Sequence, residues 1–428
     1  LKIAFVAPFG LNVLPPYQLS GGIWIYEVAR RLGTRHDVWV YSWRNPLQAE
    51  PRRDDVVHYR FLDSVLARPT RKVLHPLMGL RGPRTPYFAS ALANPGYSLA
   101  VVRDILRQHF DAILADEVFT LPVLLGSFSR RPRVAFRMRA EWLAQFDRSF
   151  VERRIRSSDL VLGCSRYVTE AVRRRFPEYA DRCLTVYEGV DQGRFAPLGA
   201  RNGRDHDPTT LLFVGRVSPE KGLHTLLDAF YKVLKECPDC KLQVVGQYTS
   251  APLEMIILPS HDPGVRSLAR FYRPESQTAY RDYLLVQAQA LGIRDRVSFS
   301  GPRPYEDMPS FYRCADVLVN PSFVETFGRS LIEGMACGLP VVATRVGGMP
   351  EIVDEGRNGL MVDPGDSEAL SQAILKLVLN PRQARSMGLA GRKKAIDRFA
   401  WDVIVPRLLE IIEDPRPRTA RSLVSPKK

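Results

Sequence analysis

The sequence predicts an α/β protein built from two doubly wound parallel-sheet domains, and three observations carry that prediction. The chain has 428 residues, more than one hydrophobic core usually covers. Short β-branched runs alternate with amphipathic helical patterns, which is the rhythm of parallel α/β units. The runs fall into two series, 3–7, 38–41, 112–115, 134–136 and 160–163, then 211–214, 241–245, 297–299, 317–320 and 341–343. Between the series, 192–208 mixes glycine, proline and alternating charge and reads as a linker. Domains 1–191 and 209–397 follow, with a last helix within 398–414 and a Pro/Arg/Lys-rich tail, 415–428, expected to be disordered. Ligand is expected in a cleft between the two domains.

Composition narrows the function classes. With 45% hydrophobic and 25% charged residues, the chain is neither a disordered, a collagen-like nor a disulfide-scaffold protein. The net charge of +15 raises anionic partners: nucleic acid, a membrane surface or phosphorylated substrates. Arginine-rich helical patterns at 153–156 and 173–175 give that charge a plainer source in solvated faces, so nucleic acid is not an expected partner. Six cysteines are too few for a disulfide framework, and Cys237 with Cys240 lacks the second pair a zinc site needs. The opening L-K-I-A-F-V-A-P reads as a first buried strand rather than a signal peptide. No apolar stretch reaches the roughly 20 residues of a spanning helix. A cytoplasmic protein is expected, with basic segment 68–84 able to touch an anionic bilayer at the inner face of the membrane. The sequence does not fix an oligomeric state.

The strongest chemical signal starts at Val319, V-N-P-S-F-V-E-T-F-G-R-S-L-I-E-G-M-A-C-G-L-P-V-V-A-T. It reads as strand, loop, helix, glycine stop and strand. The amides of Phe327, Gly328, Arg329 and Ser330 would then form a positive helix N-terminus, a natural phosphate cradle. Glu325 and Glu333 stand eight positions apart, on the order of 12 Å along a helix. Hydrolytic carboxylate pairs need roughly 5 to 9.5 Å, so this pair is not an acid/base dyad and the glycosidase reading loses here. Two acceptors at that spacing fit the two ends of one elongated ligand, a sugar at Glu325 and a ribose at Glu333.

A second signal, L-F-V-G-R-V-S-P-E-K-G over 212–222, sets Arg216 and Lys221 between a strand and a helix, where cations can meet a diphosphate leaving group. A third, Ser20-Gly21-Gly22, is expected as a turn between the first strand and a helix over 23–32, with Gly22 allowing close approach of a phosphate. No G-x-G-x-x-G occurs there, which disfavours NAD, and there is no Walker pattern and no H-E-x-x-H. Asp205-His206-Asp207 has a D-x-D form but sits in the linker, so no metal is expected. Two long segments, 68–84 and 249–281, interrupt the α/β rhythm.

On these residues the chain resembles a family 4 retaining glycosyltransferase of the GT-B fold. K-I-A-F-V-A-P, G-G-I-W-I-Y-E, G-C-S-R-Y-V-T-E, V-Y-E-G-V-D-Q-G-R-F, V-G-R-V-S-P-E-K-G, the Glu325 to Glu333 block and G-G-M-P-E-I-V follow in family order over nearly the whole chain. The resemblance implies a nucleotide-diphosphate sugar as co-substrate, UDP-linked before other nucleotides, and neither metal nor other cofactor. It places Arg216 and Lys221 on the diphosphate, Glu325 on the sugar, Glu333 on the ribose and Arg303, in G-P-R-P, at the base. The helix from Trp401 would cross back to the first domain. The acceptor, a small molecule, a glycan or a lipid-linked species, stays open.

Three departures stand out. Relatives carry a histidine soon after the strand at 134–136; here Arg139 or Glu141 would take its place. Glu188 replaces the usual asparagine before G-V-D. Arg329 replaces the usual apolar residue after F-G and would add a cation near the diphosphate. The missing histidine also admits a catalytically silent, donor-binding subunit.

Overall fold

The computed structural model describes residues 1–43, 56–62, 85, 87–90, 94–197, 209–250, 252–272, 276 and 278–414. The basic segment 68–84, the D-x-D triplet and the tail 415–428 lie outside the described residues. The chain divides into two units, Leu1–Tyr187 with Ile404–Lys428, and Glu188–Val403.

The sheet of unit one holds β1 (Lys2–Val6), β2 (Asp37–Trp43), β3 (His58–Leu62), β4 (Ala112–Asp116), β5 (Arg133–Met138), β6 (Leu160–Gly163) and β7 (Cys183–Thr185). Their order is β3-β2-β1-β4-β5-β6-β7, with parallel pairing throughout. β4 and β6 are buried at every position, because helices cover both faces of a parallel sheet and strands there read as continuous apolar runs. Helix α1 (Ser20–Gly33) buries Ile25, Val28, Ala29 and Leu32 along one stripe, the three-to-four spacing of an amphipathic helix. The expected turn at Ser20-Gly21-Gly22 is corrected here: all three residues form the first turn of α1. Gly22 is needed for contact, since a Cβ there would lie 1.9 Å from the Asn12 carbonyl oxygen.

Unit two holds β8 (Thr210–Val214), β9 (Lys241–Val245), β10 (Val297–Phe299), β11 (Val317–Asn320), β12 (Val341–Thr344) and β13 (Gly359–Val362), in the parallel order β10-β9-β8-β11-β12-β13. Helix α2 (Leu223–Glu236) presents Leu223, Leu226, Leu227, Phe230 and Val233 to the core. Helices α3 (Ala279–Ala290), α4 (Met308–Cys314), α5 (Arg329–Ala336) and α6 (Ser367–Val378) follow between strands and after β13.

Three strands escape the sequence pattern for identifiable reasons. β3 is an edge strand of mixed H-Y-R-F-L character, β7 has three residues, and β13 begins on glycine. The segment 249–281 contains short helices at Leu253–Ile256 and Pro263–Ser267 rather than a loop throughout. Residues 192–197 of the expected linker are held within unit two: Phe195 is fully buried, and the Arg194 and Ala196 carbonyls accept from Arg313 at 2.8 Å each. The last helix, α7 (Trp401–Glu413), passes from one unit to the other at Ile404. Within unit one Arg133 donates to its Ile412 carbonyl at 2.9 Å.

Candidate functional site

In both sheets the strand order reverses once, between β1 and β4 and between β8 and β11, and open α/β sheets bind ligands outside the carboxyl ends of the strands at such a point. The candidate residues of unit two gather there. β8 ends at Val214 and leads into Arg216 to Lys221; β11 ends at Asn320 and leads into Glu325 and α5.

The two loops are locked together through backbone. The Phe323 amide donates to the Glu220 carbonyl at 2.8 Å. Gly222 has φ +69°, and a Cβ on it would sit 2.0 Å from the Pro321 carbonyl oxygen, so only glycine fits that corner. Lys221 Nζ, on the adjacent residue, then lies 2.8 Å from Glu325 Oε2 and 3.3 Å from the Val324 carbonyl oxygen. Glu325 is fixed from its other side by G-G-M-P: Gly348 donates to its carbonyl at 3.1 Å. At Gly347, φ +55°, a Cβ would come within 1.7 Å of the same oxygen.

Arg216 reaches Glu220 Oε1 at 3.0 Å. Glu220, fully buried, also accepts from Ser218 Oγ and from the Tyr272 hydroxyl at 3.4 Å. The segment 249–281 thus supports the Arg216 anchor through Tyr272. Arg216 keeps 36% of its side chain exposed, against 16% for Lys221 and 18% for Glu325, leaving it the most open of the three toward an anion.

On α5 the sequence expectation for Arg329 changes. Its Nε lies 2.8 Å from Glu333 Oε1, one helical turn on, and its guanidinium packs 4.8 Å from the Tyr305 ring centroid. The other Glu333 oxygen accepts from the Tyr312 hydroxyl at 2.7 Å. The cation expected for the diphosphate is therefore committed to the carboxylate expected for the ribose. Phe327 and Gly328 are buried at the start of α5, with Gly328 at its N-cap and Ser330 in its first turn. Arg303 is exposed over Phe311 and lines an open groove of about 560 Å³ with Arg194, Glu306, Asp307 and Arg313.

Unit one has its own charged cluster at the carboxyl ends of β4 and β5. Asp116 Oδ1 accepts from Arg137 Nη1 at 3.0 Å and from Arg139 Nε at 3.3 Å. Glu117 accepts from Arg139 Nη2 at 2.6 Å and from the Arg139 amide at 3.1 Å. Burial pushes the Glu117 carboxyl up, against the lowering pull of Arg139. Glu117 also has φ +55°, a strained backbone for a residue with a side chain. The Arg139 guanidinium lies against α1, where a Cβ on Gly21 would meet it at 2.4 Å. Glu141 is a separate group: burial raises its pKa, and it accepts from the Tyr167 hydroxyl.

The sequence missed Glu220, Tyr272, Tyr305, Tyr312 and the Asp116–Glu117 pair. Glu220 had a signal, its place inside S-P-E-K-G. The tyrosines had none, because only the fold brings them to the carboxylates. Among the described residues no three His, Cys, Asp or Glu side chains gather as a metal site, and no helix is long and apolar enough to cross a membrane.

Residues 198–394 match the family model described as glycosyl transferases group 1. The chain is 25% identical to spore coat protein SA of Bacillus subtilis, over 97% of this chain and 100% of that protein. It is 32% identical to the D-inositol 3-phosphate glycosyltransferase of Thermobifida fusca, over 64% of this chain and 60% of the relative. The counterpart from Segniliparus rotundus is matched over only 45% of its length. Among solved structures, sucrose-phosphate synthase of Thermosynechococcus elongatus superposes with a TM-score of 0.73 at 22% identity, covering 96% of this chain and 98% of that one. Anabaena HepE in complex with UDP gives 0.66 at 20%, covering 96% and 99%. The chain thus has the two parallel-sheet, Rossmann-like domains of the GT-B fold, and its residues 198–394 are similar to the glycosyl transferases group 1 family.

Proposed function

We propose that this protein is a retaining, metal-independent family 4 glycosyltransferase. It moves a sugar from a nucleotide-diphosphate sugar, UDP-linked before other nucleotides, to a hydroxyl of a glycolipid, a polysaccharide or a secondary metabolite. The observation that carries this reading is the meeting of Lys221 and Glu325 where the strand order of unit two reverses, beside Arg216 and the start of α5. The group 1 match over the same residues supports it. UDP is favoured because the Anabaena neighbour is solved with it.

In this reading the diphosphate lies at the amides of Phe327 to Ser330, where the helix dipole favours negative charge. Arg216 and Lys221 stabilise the charge that develops as the sugar–phosphate bond breaks, which is the point where preorganised cations lower a barrier most. That cationic stabilisation is the role a metal would otherwise fill. Glu325 holds the sugar and keeps Lys221 in place, and Glu333 accepts from the ribose hydroxyls. The departing diphosphate takes the acceptor proton, and the new bond forms on the face the leaving group vacates. Arg139 or Glu141 of unit one takes the place of the family's first-domain histidine.

A thermal-shift screen with UDP, GDP, ADP, dTDP and their sugar conjugates tests the donor, since binding to the native state raises its melting point. One nucleotide should give a shift that is lost in Glu333→Ala and Arg216→Ala, and NMR of the product should show retained anomeric configuration. No shift with any nucleotide, or an inverted product, overturns the reading. A donor-binding but silent subunit is the second reading, favoured by the commitment of Arg139 to Asp116 and Glu117 where relatives have histidine. Steady turnover by the purified chain removes it.

A further inference from the structure

Two of the departures from the family pattern, Arg329 and Glu188, lie in unit two and interact electrostatically. Arg329 is the first residue of α5, where a cation opposes the helix dipole, and its side chain is only 10% exposed. A buried charge in a locally unfavourable position needs compensation from the tertiary structure. Burial pulls the guanidinium down, yet Tyr305, Glu333 and Glu188 more than offset that, holding its pKa above the ordinary arginine value. Glu188, itself buried at 4% exposure, is the other departure, standing where relatives have asparagine.

Glu333 is held at both oxygens, by Arg329 and by Tyr312, with its side chain 6% exposed. An ionised carboxylate offers about four lone-pair sites, so two engaged donors leave acceptor capacity for a pair of hydroxyls while fixing the plane of the group. A lone buried glutamate would rotate or take a proton.

We propose that Arg329, balanced by Glu188, is a positioning residue that fixes the Glu333 carboxylate and thereby sets this protein's selectivity for the ribose 2′-hydroxyl of its donor. This rests on the donor-site reading above. Arg329 touches Glu333 rather than the nucleotide, so its effect is carried through the orientation and charge of that carboxylate. Glu188 matters because its buried negative charge, in the same unit, helps hold the guanidinium charged. Changing Arg329 alone leaves Glu188 buried without that counter-charge; changing both returns the site to the family's apolar and amide pair.

The test is calorimetric binding of UDP and 2′-deoxy-UDP, or the matching pair for whichever nucleotide the screen selects, to wild type, Arg329→Leu, Tyr312→Phe, Glu188→Asn and Glu188→Asn/Arg329→Leu. Wild type should prefer the ribonucleotide by about tenfold or more, the worth of a charged hydrogen bond. That preference should collapse toward unity in Arg329→Leu and shrink in Tyr312→Phe. Donor KM should rise in both with little change in kcat. The double variant should melt above Arg329→Leu while keeping its lost selectivity. A ribose preference unchanged in a folded Arg329→Leu that still binds nucleotide overturns this proposal alone. Failure of wild type to bind any nucleotide overturns the donor reading and this proposal with it.

Discussion

Lys221 and Glu325 stand 104 residues apart in sequence and 2.8 Å apart in space, one on the loop leaving β8 and the other on the loop leaving β11. Adjacent parallel strands bring their carboxyl ends together, so the pair is a product of strand order rather than of either motif alone. Both side chains remain partly exposed, which leaves the ion pair open to exchange with a ligand's charge.

The first prediction concerns that pair. Lys221→Ala and Glu325→Ala should each lower kcat by about 10²- to 10³-fold, the usual cost of removing one preorganised electrostatic group. Because the residues touch, the double variant should fall short of the product of the single losses. Steady-state kinetics on the four proteins checks this, and strictly multiplicative losses would show that the pair does not act as a unit.

Two glycines should behave as backbone requirements. Ala at Gly222 or Gly347 meets a positive φ and a carbonyl oxygen within 2.0 Å, so each substitution should cost about 1–3 kcal/mol or more. Gly347→Ala should also weaken nucleotide-sugar binding, since the carbonyl it strikes belongs to Glu325. Urea melts and binding titrations read both effects; wild-type stability in either variant contradicts the fit.

His224, buried at the start of α2, gives a pH signature. Its Nδ1 lies 2.7 Å from the Tyr280 hydroxyl and its amide 3.1 Å from the same oxygen, an arrangement that a neutral ring accepting at Nδ1 satisfies. Burial, with nearby Arg270, pushes its pKa down to about 4. An unfolded histidine binds its proton near 6.5, so between about pH 6.5 and 4 the unfolded chain holds more protons. Stability should fall with pH through that window, by at most about 3 kcal/mol, and this group should add nothing below it. Urea midpoints from pH 7.5 to 4.5 should show a shallower slope in His224→Gln than in wild type; parallel slopes would remove His224 as the cause.

In unit one, Arg137 is fully buried, 3.0 Å from Asp116 and 3.7 Å above the Trp24 ring. Arg137→Met should destabilise by about 3–5 kcal/mol, because it leaves a buried carboxylate with less compensation. Arg139→Ala, whose partners are half served by Arg137 and by the Arg139 amide, should cost less but reduce turnover more. Comparing melting points with kcat in the two variants separates an arginine that serves the fold from one that serves turnover; equal effects in both measurements would refute the division.

Periodicity located ten of the strands, since a strand buried on both faces must be apolar at nearly every position and such runs are visible without a fold. Glycine spacing and the strand-end motifs over 212–222 and 319–333 marked Arg216, Lys221, Glu325 and Glu333 as candidates, because a chain that turns sharply at a strand end must write that turn into its residues. Tertiary structure decided the partners. Which base pairs with which acid depends on strand order, so Arg216 with Glu220 and Lys221 with Glu325 could not be matched from spacing. The commitment of Arg329 to Glu333, the reach of Tyr312 and Tyr272 to distant carboxylates, and the charge of Glu188 acting on Arg329 arise only where packing removes water and brings remote residues together. The sequence by itself determined where charge can be placed; the fold determined which charges neutralise each other and which stay exposed, because only packing sets partner and solvent together.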